Sequence, residues 1–179
     1  MPAYDPPLAI ADEFMTMSDD QKLKIKLFLT DVDGVLTDAG MYYTESGDEF
    51  KKFNTHDGMG MKLIQARGVK VGIITTENTN IVERRAAKLK VDFLRQGIWD
   101  KLTAAQEICS ELGITLADTA YIGDDINCKS LLQNVGLAAC PANALPEIKA
   151  IAGIMQLEKK GGEGAVREFI EYIFAKALL

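Results

Sequence analysis

Histidine is almost missing from this chain. The single copy, His56, excludes a cluster of histidine metal ligands and a Ser-His-Asp relay. Cysteine is scarce too: three residues, Cys109, Cys128 and Cys140, without paired spacing, argue against a disulfide framework, and reduced thiols are expected. Basic residues are in deficit, with 20 Lys and Arg against 26 Asp and Glu, so neither nucleic acid nor an anionic membrane is an expected partner. No apolar run is long enough to span a bilayer, and the acidic opening lacks the basic head and apolar stretch of a signal peptide. A cytoplasmic location is the expectation. Any catalysis here must run on carboxylates, lysine and hydroxyls.

What is present is an ordinary apolar fraction, 47% of 179 residues, enough for one domain with a substantial core. The expected division is an N-terminal arm over 1–23 and a domain over 24–179. "KIKLFLT" (24–30) reads as a buried strand, and two short runs around the turn "ESG" read as a hairpin over 40–55. From Gly58 onward helical and strand-like segments alternate, with Gly68 and Gly113 as helix stops. The expected fold is therefore α/β: a Rossmann-like parallel sheet, helices on both faces, a hairpin flap and no separate cap domain.

In such sheets ligands bind outside the carboxyl ends of the strands. Those ends here carry Asp31 and Asp33, then Thr75 and Thr76, then Gln96 to Lys101, then Gly123 to Asp125. Residues i and i+2 of an extended segment share a face, which predicts that Asp31 and Asp33 point together. Their repulsion is relieved by a cation or by protonating one of them, so one can act as nucleophile and the other as acid. Adding Asp124 and Asp125 calls for a divalent cation, and oxygen ligands favour magnesium. Thr75 and Lys101 suit a phosphoryl group. Each alone has a plainer reading as a turn, a cap or a surface lysine. Their order after successive strands is what favours a site.

These residues resemble the haloacid dehalogenase-like superfamily of aspartyl phosphatases, through "DVDGVLT", Thr75 after "VGII", Lys101 in "WDK", and "GDD". The resemblance implies a phosphorylated Asp31, with Asp33 as acid and base. Magnesium would be held by Asp31, the Asp33 carbonyl and Asp124, and phosphate by Thr75 and Lys101. "FNTHDGMGMKLI" and "GGEGAVRE" are similar to the capless branch acting on 3-deoxy-ulosonic acid phosphates. That branch implies a homotetramer in which hairpins associate and a neighbour's C-terminal segment helps close the site. Octulosonate 8-phosphate phosphatases usually carry Gly-Arg where this chain has Thr76 and Glu77. Glu77, with Lys88, resembles relatives acting on 2-keto-3-deoxynononate 9-phosphate, which is the substrate slightly preferred. On one helix, however, these two would lie ~16 Å apart. Cys128 stands where the family usually has Asp, which implies magnesium affinity weakened without being abolished, or a loss of activity. His56 and Asp57 are candidates for substrate contact, with helix capping the plainer role for Asp57. Arg167 is a candidate for meeting a substrate carboxylate across an interface. The rival readings are a non-catalytic oligomerisation module and a receiver-type phosphoacceptor domain.

Overall fold

The computed structural model describes residues 24–179, and the expected arm lies outside the described residues. The apolar run Leu27–Thr30 forms β1 with all four residues buried, as a strand covered on both faces requires. It is shorter than the sequence suggests, because the amides of Ile25 and Lys26 bond to the carbonyls of Leu178 and Asp118. A small antiparallel hairpin, β2 (Tyr42–Tyr43) and β3 (Glu49–Phe50), stands apart from the main sheet and is tied down by a bridge between Thr37 and Phe53. The expected flap is therefore present, with much less regular strand than its length allows.

Helix α1 covers Thr55–Gln65, three residues earlier than expected, because the Asn54 side chain caps it by accepting from the His56 amide. β4 (Lys70–Ile74) leads to α2 (Asn80–Leu89), capped by Thr79. β5 (Phe93–Arg95) leads to α3 (Lys101–Leu112), which Asp100 caps and left-handed Gly113 ends. β6 (Thr119–Ile122), a 3-10 turn at Ile126–Cys128, short α4 (Lys129–Leu132) and β7 (Leu137–Cys140) follow. Short α5 (Pro146–Lys149), β8 (Met155–Gln156) and α6 (Ala165–Ala175) complete the order.

The six main strands are parallel and lie in the order β5-β4-β1-β6-β7-β8. Numbered along the chain this is 3-2-1-4-5-6, the doubly wound arrangement whose strand order reverses between the first and fourth strands. A receiver uses the order 2-1-3-4-5, so that rival falls on topology. One apolar cluster, including Phe28, Ile73, Phe169 and Ile170, packs α1, α2 and α6 against one face. Another, including Leu27, Leu29, Ile108 and Leu131, packs α3 and α4 against the other. Among the described residues no helix is long and apolar enough to cross a membrane. The loops after β1 and β6 emerge side by side at the switch point.

Candidate active site

Asp31 is the first residue beyond β1, 4% exposed, and its amide donates to the Ile122 carbonyl of the neighbouring strand. Both of its carboxylate oxygens are engaged. Oδ1 accepts from the Val32 amide at 2.7 Å, and Oδ2 receives Lys101 Nζ at 2.5 Å and the Cys128 thiol at 3.0 Å. Lys101 opens α3, and the Asp100 cap directs that first turn into the sheet end. Burial pushes the Lys101 pKa down, but the charge and hydrogen bond of Asp31 together with those of Cys128 more than restore it, and the ammonium is held above its usual value. Thr75 is buried immediately after β4. Its amide and carbonyl are fixed by the Arg95 carbonyl and the Ile98 amide, at 2.9 and 3.0 Å.

Asp124 follows β6 by two residues and leans over Gly34. Gly34 has φ 81°, and a Cβ there would fall 1.8 Å from Asp124 Oδ2, so the glycine of "DVDG" provides both the turn and the room. Asp124 Oδ1 is buried without a hydrogen-bond partner. Burial, then the negative charges of Asp31 and Asp125, push this carboxyl up to about 7. Donor atoms of Asp31, Asp124 and Cys128 lie within 4.8 Å of one another. Two crowded carboxylates and an orphaned oxygen fit a small hard dication, which would relieve the charge and satisfy the oxygen. The thiol fits less well. Cys128 is buried and its pKa is pushed up to about 12, by burial first and then by Asp31, so it serves as a donor to Asp31.

Residues 76–170 match the family model of haloacid dehalogenase-like hydrolases. The 3-deoxy-D-manno-octulosonate 8-phosphate phosphatase of Escherichia coli K12 is 36% identical over 149 residues, covering 83% of this chain and 79% of that protein. The chain belongs to the haloacid dehalogenase-like hydrolases. The phosphatase of the same name from Yersinia pestis is 38% identical over the same shares. A crystal structure of that phosphatase from Moraxella catarrhalis, in complex with magnesium, phosphate and KDO, has a TM-score of 0.82 at 38% identity and covers 85% of this chain and 87% of its own. The cobalt-bound Haemophilus influenzae enzyme has a TM-score of 0.81 at 33% identity and covers 86% and 89%.

In this hydrolase, the other residues singled out by sequence divide into those near the centre and those away from it. Asp33 is half-buried and lies in the turn that follows β1. The two carboxylates are held by different lysines: Asp33 Oδ1 receives Lys51 Nζ at 2.5 Å. That same ammonium lies 2.9 Å from Glu77 Oε2, while Thr76 accepts from the Asn127 side chain. Burial pushes the Lys51 pKa down, but bonds to Asp33 and Glu77 more than restore it. Asp125, also expected among the metal ligands, is engaged by its own turn. Its exposed carboxylate caps its own 3-10 turn by accepting from the Ile126 amide, and it is outside the donor group.

Asp57 does not cap its own helix. Fully buried, it accepts from the Arg167 amide at 2.9 Å and so caps α6 from α1. Burial pushes its carboxyl up to about 6. His56 is exposed, and Glu77 precedes α2 rather than sharing it with Lys88, which is exposed near that helix's far end. Arg167 pairs with Glu171 one turn on, at 2.8 Å. "GGEG" packs on its own chain: the Gly162 amide donates to the Val35 carbonyl, and Asn143 links the Gly34 carbonyl to the Gly161 amide. Lys51 and Asn143 are the residues that sequence reading missed. A lysine on a hairpin and an asparagine in a loop carry no pattern, since only long-range folding brings them to the site.

Proposed function

We propose that this hydrolase is a magnesium-dependent phosphatase of a 3-deoxy-ulosonate phosphate, working through a phosphorylated Asp31. The observation that carries it is the buried Asp31–Lys101 pair at the sheet switch point, beside the unpartnered Asp124 oxygen. The named activity of the relatives supports the substrate class.

In this reading an Asp31 oxygen attacks phosphorus, and the bond to the sugar oxygen breaks as Asp33 protonates that oxygen. Asp33 then takes a proton from the water that attacks the phosphoaspartate. Phosphate leaves and Asp31 is regenerated. Lys101 and the Thr75 hydroxyl hold the phosphoryl oxygens during both displacements. Asp31, Asp124 and the Asp33 carbonyl would hold magnesium, which would neutralise the phosphoryl charge. Within the substrate class, Glu77 in place of Gly-Arg favours 2-keto-3-deoxynononate 9-phosphate over 3-deoxy-D-manno-octulosonate 8-phosphate. Lys88 gives that preference no support, because it stands away from the centre.

We further propose assembly into a homotetramer through the hairpins, whose Met41, Tyr42, Tyr43 and Phe50 are exposed. The test of function is phosphate release from both sugar phosphates, with and without magnesium, using Asp31→Asn as control. Magnesium-dependent release that the control abolishes is expected, faster from the nine-carbon ester. No release from either would favour the non-catalytic oligomerisation module, with Cys128 as the cause of decay.

A further inference from the structure

Lys51 has no part in the chemistry just described, yet its side chain is only 2% exposed. Lysine is rarely buried without a partner, and ordering its four-carbon stem costs conformational entropy. Here the ammonium spans two carboxylates, 2.5 Å from Asp33 and 2.9 Å from Glu77. Lys51 follows β3, Asp33 lies in the loop after β1, and Glu77 in the loop after β4, so one cation ties together three segments distant in sequence. The other side-chain partner of Asp33 is the Thr37 hydroxyl, at a loose 3.4 Å. Lys51 is therefore the main restraint on where the Asp33 carboxyl sits.

We propose that Lys51 is the positioning residue for Asp33, and that Glu77 anchors Lys51 in that place. This rests on the reading of Asp33 as the acid that protonates the departing oxygen. A proton donor works only within hydrogen-bond reach of the atom it serves, and a small misplacement is expensive. The cost must therefore depend on the leaving group. An alkoxide leaving a sugar phosphate needs the proton, whereas nitrophenolate, a weak base, leaves with little help.

The experiment compares kcat/KM for 3-deoxy-D-manno-octulosonate 8-phosphate and p-nitrophenyl phosphate in the wild type, Lys51→Met, Lys51→Arg, Glu77→Gln and the Lys51→Met/Glu77→Gln double variant. This parameter covers the steps up to leaving-group departure and omits hydrolysis of the phosphoenzyme. Lys51→Met is expected to lose about 100-fold on the sugar phosphate, the lower range for general acid catalysis, and less than about 3-fold on the aryl ester. Lys51→Arg should recover much of the loss. Glu77→Gln should show the same pattern more weakly and add little to Lys51→Met, because both act through one ammonium. Equal losses on both esters would reduce Lys51 to a structural role and overturn the proposal, as would additive losses in the double variant. A wild type that is active on both esters while Lys51→Met matches it would overturn this inference alone. A wild type inactive on both would overturn the phosphatase reading together with it.

Discussion

Cys128 is an unusual neighbour for a pair of crowded carboxylates, and the structure gives it a definite employment. A buried thiol donating to Asp31 takes the side of the pocket where a carboxylate would face both Lys101 and a cation. Cys128→Asp would place a third carboxylate beside Asp31 and Asp124, crowding that only a dication fully relieves. The variant is expected to melt lower than the wild type without magnesium. It should also gain more in Tm when magnesium is added, with an affinity about 10-fold higher, as outer-shell ligand changes typically give. Thermal melts across a magnesium titration test this, and identical magnesium-induced shifts in the two proteins would refute it. The residue types at this site were legible in sequence because acid, lysine and hydroxyl recur at successive strand ends. The individual contacts were not. Asp125 stands in "GDD" beside Asp124, and only the structure shows that its carboxylate caps the turn that follows.

At the level of elements, α1 and α6 pack through apolar side chains and are also joined by one buried carboxylate, Asp57, which accepts from the Arg167 amide. Asp57 has a folded pKa of about 6 against 3.8 for the free side chain, with burial as the main cause. Because the folded value is raised, the associated stability is fully present below about pH 4 and is lost as pH rises through 6. Asp57→Asn keeps an oxygen for the Arg167 amide and removes the titration. Its stability relative to wild type is therefore expected to improve by about 2 kcal/mol between pH 4 and pH 8. Denaturant midpoints at both pH values measure it, and a difference independent of pH would contradict the assignment.

The segment leading into α6 offers a second test at this scale. A Cβ on Gly161 would fall 2.0 Å from the Gly34 carbonyl oxygen and 2.6 Å from that of Thr37, both rigid backbone. Gly161→Ala should lower Tm by roughly 6–12 °C, at the upper end of overpacking costs, and impair the site through the Gly34 turn. Gly153→Ala is the contrast: with φ 76° and open space around it, it should cost only about 1 kcal/mol of backbone strain. Equal effects from the two substitutions would mean that the close approach is not tight. Sequence reading recognises "GGEG" as a helix entry. It has no means of knowing that the two leading glycines are there to let one backbone lie on another.

For the molecule as a whole, the hairpin is the part that the rest of the fold leaves uncovered. Strands of two residues with Tyr43 61% and Phe50 58% exposed would hardly persist in isolation, since a lone hairpin is marginal in water. Packing against other copies would bury these rings and support the hairpin. A wild-type mass of four chains is expected by light scattering, and Tyr43→Glu with Phe50→Glu should reduce it. Because Lys51 directly follows Phe50, the dissociated variant should also lose activity on alkyl esters more than on aryl ones. A wild type that runs as a monomer would remove this argument.

The sequence by itself determined the parallel α/β fold and the meeting of Asp31 with Lys101 and Asp124 at the strand ends. Hydrophobic runs set the strands, and alternation with helices forces parallel pairing, so chemistry-bearing residues at strand ends have little choice but to meet. Only the tertiary structure decided what surrounds them: Lys51 bridging Asp33 and Glu77, Asp57 capping a helix 110 residues away, and Asn143 binding two loops together. Those contacts join segments whose spacing in the chain carries no periodic signal. They exist because the folded topology brings the segments close enough for donor and acceptor to meet.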